Sequence, residues 1–251
     1  MYRVCFVIPY YNHPRTIVPL VEILKAFGLG IVIINDGSSP ESSAALEELN
    51  ASVIEASSTP TAKTHSQIYV FHRAQNGGKG AAIKDGLQIA HQLGFSHAFQ
   101  IDADMQHDLS KINDFLNASK ECKEHIICAQ PHYDENAPKS RLYGRKITNF
   151  WVYINTLGKD VRDSMCGMRI YPIEAVYNSL KSCGDRMDFD IDILLYAVKN
   201  DVKLTWIQVA IKYEQSISHF KVFRDNALIS LTHAKHFFLL PALIYKRIFH
   251  G

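Results

Sequence analysis

Asp102, Asp104, Gln106 and Asp108 stand at alternate positions directly after the short apolar run Ala98-Phe-Gln-Ile101. Carboxylates held a few ångströms apart repel and raise each other's pKa. Such a cluster at the end of a buried strand therefore calls for a positive partner. Oxygen donors of this kind suit a hard divalent cation, Mg2+ or Mn2+, which takes one or two carboxylates and leaves its other positions to water and phosphate oxygens. The competing reading is a plain strand end followed by a helix N-terminus, with Asp108 or Ser110 as cap. The other residues with chemistry to offer in the first half are Tyr11, Asn12, Asp36 and Lys79, each placed just after an apolar run or at the start of a helical one.

The elements that must position these side chains follow from periodicity. Val4–Ile8, Ile31–Ile34 and Ala98–Ile101 are continuous apolar runs, as in strands buried on both faces of a parallel sheet, with Val53-Ile54 and Ile68–Val70 as weaker strands. Helical spacing runs over 16–27, closed by Gly28 and Gly30, over 41–50, and from Asn76-Gly-Gly-Lys-Gly80 to Leu93. Strands alternating with helices predict a doubly wound α/β sheet, mostly parallel, and such sheets bind ligands outside the carboxyl ends of their strands. All the residues named so far fall on that edge. In the second half, helices are expected over 111–120 and 141–157 and from Asp188 onward. Strands are expected over 126–129 and 204–209, with polar loops over 131–140 and 163–169.

Composition sets the outer limits. A chain of 251 residues, 47% hydrophobic and 21% charged, fits one core-forming domain. The net charge of +2 is too small to argue for nucleic acid. Five cysteines without a CxxC pair predict reduced thiols in a cytosolic protein and neither a disulfide framework nor a zinc site. The N-terminal run, cut by Pro9, reads as a first strand and not a signal peptide. No apolar run reaches the roughly 18 residues a membrane span needs.

Taken in order, Val7-Ile-Pro-Tyr-Tyr-Asn12, Ile34-Asn-Asp-Gly-Ser-Ser39, Asn76-Gly-Gly-Lys-Gly-Ala81, Asp102-Ala-Asp-Met-Gln-His-Asp108 and Asp163-Ser-Met-Cys-Gly-Met-Arg169 resemble the family 2 glycosyltransferases, and most closely their dolichyl-phosphate mannose synthase-like branch. The resemblance covers residues 4 to 200. It implies a GT-A fold, a nucleotide-diphosphate-sugar donor linked to uridine or guanosine, Mg2+ or Mn2+, and inversion at the anomeric carbon. It places Pro9, Tyr11, Asn12, Asp36, Lys79 and Asp102 on the donor, with Asp36 at the base or ribose. Asp104 and Gln106 become metal ligands, and Asp102 holds the ribose or supports the metal. The Gly77-Gly78-Lys79-Gly80 turn lets backbone approach a ligand and sets Lys79 at a helix start, where anions are favoured; it lacks Walker A spacing. Arg141, Arg145 and Arg169 become phosphate ligands, since guanidinium binds phosphate bidentately, with a basic helix face as the plain alternative for the first two.

For a hydroxyl acceptor the reaction needs a carboxylate base, and Asp188, Asp190 or Asp163 would supply it; transfer to a phosphate, already an anion, needs none. Cys166 stands where the branch more usually has a small hydroxyl residue. From Ser218 onward the chain turns apolar, aromatic and basic around Pro241, which predicts an amphipathic, kinked helical tail at a membrane interface, or a terminal helix packed on the domain or in a homodimer. His219, with Lys221 and Arg224, is a candidate to close over the diphosphate or to reach the metal. The combined expectation is a glycosyltransferase domain over 1–217, with a nucleotide-sugar half to about 110 and an acceptor half after it, plus an interfacial segment over 218–251. It would act on a lipid or lipid-linked acceptor, in the cytoplasm at the inner face of a membrane. A hydroxyl acceptor or a non-catalytic nucleotide-sugar module are the rivals.

Overall fold

β1 (Val4–Tyr10) shows why the sheet is buried on both sides. Phe6, Ile8 and Tyr10 turn into one apolar cluster, while Cys5 and Val7 turn into another on the opposite face. The computed structural model describes residues 1–49, 52–54, 68–133, 139–211 and 221–249, with the backbone alone for 52–54, 139–141 and parts of the last helix. After β1 come α1 (Pro14–Lys25), β2 (Gly30–Asn35), α2 (Pro40–Glu47), β3 (Ser52–Ile54), β4 (Ile68–His72), α3 (Lys79–Gln92) and β5 (His97–Gln100). The second half adds α4 (Ile112–Glu121), β6 (Ile126–Tyr133), α5 (Lys139–Asn155), β7 (Arg169–Pro172), α6 (Ile173–Tyr177), α7 (Phe189–Lys199), β8 (Leu204–Ile211), α8 (Val222–Phe238) and α9 (Leu240–Phe249).

The eight strands lie in the order β3-β4-β2-β1-β5-β7-β6-β8, all parallel to their neighbours except β7, which runs antiparallel to β5 and β6. Helices α1 and α4 cover one face, where Phe6, Phe99 and Phe115 stack; α3, α6 and α7 cover the other. Each such buried aromatic contributes about 1.5–3 kcal/mol relative to exposure. The chain winds outward from β1 through β2 to β4 and then returns to β5 on the far side of β1. The switch point lies between β1 and β5, so the ends of these two strands open a crevice. Pro9 to Tyr11 and Asp102 to Asp104 lie at that opening. The sheet is the mostly parallel, doubly wound α/β arrangement expected from the sequence.

Two local expectations needed correction. Gly28, at φ +64°, ends α1 alone, and Gly30 begins β2. The loop expected from Pro131 is in part strand, because β6 continues along β8 to the Tyr133–Ile211 pair. There β7 no longer pairs with it, so the missing N–H of Pro131 leaves no ladder bond unmade. In the tail, Pro241 breaks the helix, falling in the first turn of α9. α8 is packed on the domain, where Ile229 joins Val152, Ile191 and Leu195 in a third apolar cluster. Asp192 of α7 fastens it further, binding His236 Nε2 at 2.6 Å and Lys235 Nζ at 2.9 Å. Among the described residues no helix is long and apolar enough to cross a membrane.

Candidate active site

A cleft of about 1160 Å3 opens over the β1–β5 switch point, walled by strand ends, the first turns of α3, α7 and α8, one side of α5, and the loop before β7. Pro9, Tyr11, Asp36, Lys79, Asp102, Asp104, Gln106, Arg145 and Asp190 all reach it. Residues spread over 180 positions of sequence are thus brought into one cavity.

Asp36 follows β2 and is 2% exposed. Its Oδ1 accepts from Gly77 N at 2.8 Å and pairs with Arg73 Nε at 3.0 Å; its Oδ2 accepts from Gly78 N at 2.8 Å and from Asn76 Nδ2 at 2.9 Å. Three hydrogen-bond donors and the Arg73 charge thus hold both carboxylate oxygens. Burial pushes its pKa up against the pull of these partners. Asp36 lines the cleft and also holds the glycine turn in shape. Gly78, at φ +107°, caps α3 in a backbone conformation that a side chain would strain. The turn thereby sets Lys79 at the first position of α3.

Lys79 Nζ lies 2.9 Å from Asp102 Oδ2 and 2.9 Å from Asp190 Oδ2. Burial works against its charge, but Asp102 and Asp190 outweigh it and hold its pKa above the usual lysine value. For Asp102, burial likewise acts upward, and Lys79 and His107 bring its carboxyl below the usual range. Asp102 Oδ1 is buried with no hydrogen-bond partner. Two residues on, Asp104 takes, among the described residues, a single backbone bond from Gln106 N at 3.1 Å, across Met105 at φ +56°. An orphaned carboxylate oxygen beside a second carboxylate and an amide is a donor set that fits Mg2+ or Mn2+. Asp102, Asp104 and Gln106 would hold it.

The three aspartates considered as bases are all engaged. Asp190 carries Lys79. Asp163, 3% exposed, pairs with Arg145 Nη1 and accepts from Met165 N at 3.0 Å and Cys166 N at 2.7 Å. Asp188 is buried, accepts from Arg186 N at 3.1 Å, and does not line the cleft.

Of the arginines, Arg145 lines the cleft over the Tyr133 ring. Arg169 does not. It is fully buried on β7, with Nη1 2.6 Å from the Asp190 carbonyl, and so supports α7 from beneath. Arg141 lies in the first turn of α5, and its side chain falls outside the described residues, as does the whole of His219. Asn12, at φ +55°, accepts from Ser39 N at 2.9 Å and ties the loops after β1 and β2 together; it is not on the cleft wall.

Among the wall residues with no role assigned from sequence are His13, His107, Thr148 and Arg186. His107 Nε2 lies 3.3 Å from Cys166 Sγ. Burial opposes its charge, yet Cys166 and the Asp102 and Asp104 carboxylates raise its pKa to about 9. Its place inside the acidic run was the available signal. Arg186 had a weaker one, a cation just before an acidic helix start.

The sequence model described as glycosyl transferase family 2 matches residues 5–179. An uncharacterized protein of Methanocaldococcus jannaschii is 24% identical over 224 residues, which are 85% of this chain and 90% of that protein. A dolichyl-phosphate β-glucosyltransferase of Trichomonas vaginalis is 26% identical over 227 residues, 82% of this chain and 64% of that protein, so the chain spans less than two thirds of that relative's length. Among solved structures, glucosyl-3-phosphoglycerate synthase of Mycobacterium tuberculosis in complex with UDP superposes with a TM-score of 0.67 at 13% identity, over 94% of this chain and 80% of that one. The same enzyme in complex with Mn2+, UDP and phosphoglyceric acid gives 0.65. At that identity the likeness is one of fold.

Proposed function

This chain belongs to glycosyl transferase family 2, and from that premise we propose that it moves a sugar from a nucleoside-diphosphate donor, with a divalent metal, onto the phosphate of a lipid acceptor. The observation that carries the acceptor class is the state of the candidate bases. Asp163, Asp188 and Asp190 are each held by a cation or by backbone donors. A hydroxyl nucleophile needs a carboxylate to take its proton in the transition state. A phosphate oxygen is already ionised and needs none. The Trichomonas relative's dolichyl-phosphate activity and the UDP bound by the mycobacterial neighbour point the same way, toward a lipid phosphate and a uridine-linked donor.

The residues then divide the work. Arg145, oriented by Asp163 and by the Tyr133 ring, offers a guanidinium to phosphate oxygens. Lys221, which caps α8, and Arg224 in its first turn add positive charge to the cleft wall. Lys79 keeps Asp102 ionised, and Asp102 and Asp104 both face the cleft. A divalent cation held by them would supply Lewis-acid neutralisation of the departing diphosphate. The acceptor oxygen attacks the anomeric carbon opposite the leaving diphosphate, and the configuration inverts.

A thermal-shift panel of UDP- and GDP-sugars with and without Mn2+ tests the donor half, because a ligand of the native state raises the melting temperature by mass action. One nucleotide sugar stabilising only with metal, and not in Asp104→Ala, is the expected result. No stabilisation by any of them overturns the reading. Binding that survives Asp104→Ala, with no sugar turned over, identifies a non-catalytic module. Radiolabelled sugar appearing on a polyprenyl phosphate, and not on a polyprenol, is the expected result for the acceptor.

A further inference from the structure

We infer that Asn76 and Arg186 read the base of the donor, as an acceptor and donor pair that takes the C=O and N–H of uracil or guanine and rejects the amino edge of cytosine or adenine. The inference rests on the nucleoside-diphosphate donor reading and adds to it which side chains choose the base.

The first observation is which cations of the cleft are already neutralised. Of the three arginines on its wall, Arg145 pairs with Asp163 and Arg224 with Asp225. Lys79 is shared between Asp102 and Asp190. Arg186 has no ion pair among the described residues. Its guanidinium makes one long hydrogen bond there, from Nη1 to Asn76 Oδ1 at 3.5 Å. A guanidinium carries five N–H donors, so most of these are left for a ligand.

The second observation is that the amide of Asn76 is held one way round. Its Nδ2 donates to the Asp36 carboxylate Oδ2 at 2.9 Å and to the Asp36 carbonyl at 3.2 Å. Reversing the amide would set its oxygen against both of those oxygens. Oδ1 is thereby fixed on the Arg186 side as an acceptor. The Arg186 backbone is equally fixed: its N–H donates to Asp188 Oδ1 at 3.1 Å, and its carbonyl accepts from Phe189 N at 3.2 Å. The preceding carbonyl, of Asp185, accepts from Ala81 N at 2.8 Å. The Arg186 stem lies on the glycine turn, where a Cβ on Gly78 would fall 2.7 Å from Arg186 Cγ. An acceptor and a set of donors thus stand side by side on the cleft wall.

Uracil and guanine each present a ring carbonyl next to an N–H, which meets donor and acceptor in turn. Cytosine and adenine present an amino group next to a bare ring nitrogen. There an N–H would face the guanidinium N–H groups and a lone pair would face Oδ1. Each bond left unmade on a half-buried wall costs binding. A site built to hydrogen-bond its ligand rejects the analogue lacking the partner far better than an apolar pocket does.

A guanidinium also suits phosphate, but this one stands away from where the diphosphate must lie. Asn76 is bonded to Asp36 after β2, whereas the acidic pair that would hold the metal follows β5, with β1 between. Two strand spacings are about 10 Å, which leaves room for the ribose and phosphate that join a base to a metal-bound diphosphate.

Isothermal titration of the full chain with Mn2+ and four nucleoside diphosphates, UDP, CDP, GDP and ADP, tests this. UDP and CDP are of one size and differ only at the edge in question. The parent should prefer UDP to CDP, or GDP to ADP where the cleft takes the larger ring, by at least about tenfold. Arg186→Ala should bring that ratio to within about threefold of one. Equal melting temperatures without ligand establish that the variant is folded. Where Arg186→Ala melts lower, Arg186→Gln carries the test, since its amide can turn to serve either edge and the ratio should fall as far. A parent that binds UDP and CDP alike, and GDP and ADP alike, overturns the inference. So does a folded variant that keeps the parent's ratio, because a residue that only supports the glycine turn would weaken all four nucleotides together. Equal weakening that extends to inorganic pyrophosphate overturns it in favour of a diphosphate contact. Binding without discrimination removes this inference alone, whereas no binding by any nucleotide removes the donor reading with it.

Discussion

Asp190 Oδ2 lies 2.9 Å from Lys79 Nζ, so that a carboxylate set by the first turn of α7 is neutralised by an ammonium set by the first turn of α3. The pair sits on Arg169, whose Nη1 binds the Asp190 carbonyl, and Lys79 passes the connection on to Asp102. A chain of alternating charges therefore runs from the buried β7 to the acidic cluster after β5. We propose that this chain places Asp102, with Asp190 as a positioning residue within it.

Asp190→Asn should therefore act on stability before chemistry. Removing one partner of a buried ion pair costs about 3–5 kcal/mol; the amide keeps part of the hydrogen bonding, so the loss falls at the low end. In a domain of this size that is a drop in Tm on the order of 10 °C. The pH dependence of kcat should keep the shape of the parent's. A base role would instead lower kcat by about 10^2–10^4, flatten its acid limb and leave Tm alone.

Gly167→Ala probes the same centre from the other side. A Cβ there would fall 2.7 Å from both Asp102 Oδ1 and Lys79 Nζ and still closer to Asp102 Oδ2. The loop backbone can exist next to the ion pair only without a side chain. The methyl group should push Asp102 off its position and weaken Mn2+ affinity about 10–100-fold, the usual cost of disturbing groups that orient a metal ligand. Isothermal titration with Mn2+ and UDP measures it; an affinity within twofold of the parent's would show that Asp102 takes no part in holding the metal.

Asp163→Asn separates positioning from proton transfer in the loop before β7. The amide oxygen can still accept from Met165 N and Cys166 N, whereas the ion pair with Arg145 is lost. The expected result is a donor KM raised about tenfold with kcat changed little, because a misplaced guanidinium weakens phosphate binding. Arg145→Ala should reproduce it. A kcat loss of three orders of magnitude in Asp163→Asn, absent in Arg145→Ala, would restore Asp163 as a base.

Much of this arrangement is legible in sequence because strand ends announce themselves. β1, β2 and β5 are apolar runs stopped by polar residues, and the winding order follows from the helices between them, so Asp102, Asp104 and Lys79 fall in the cleft without any coordinates. What sequence withholds is who neutralises whom. Nothing local shows that Gly77, Gly78, Asn76 and Arg73 converge on Asp36 from some 40 positions away. Arg169 reads as a phosphate ligand because its motif lies by the site, while strand alternation in β7 turns its side chain into the core. The tail reads as a separate segment because its apolar residues outnumber what one inner face needs. Its inward face is the polar one, built on His233, His236 and Asp225, which hydropathy alone would set toward solvent.

His233 makes that polar inner face sensitive to pH. Burial, with His236 nearby, lowers its pKa from 6.5 to about 4. The ring accepts from Asn155 Nδ2 at Nδ1, and Nε2 is buried without a partner, so a second proton would go uncompensated. The unfolded chain takes up that proton below pH 6.5, and the folded chain does not until about pH 4. Stability from this group is thus complete above pH 6.5 and is lost progressively as pH falls toward 4. Discounted for solvent screening, the window is worth about 2 kcal/mol, or roughly 4–8 °C in Tm. Carboxylates contribute their own acid sensitivity, so the measurement is a difference: Tm between pH 7 and pH 4 for the parent and for His233→Gln, whose amide can still accept from Asn155. The glutamine variant should lose less Tm over that interval by the stated amount. Parallel curves for the two proteins would mean that another group between α5 and α8 takes up the proton.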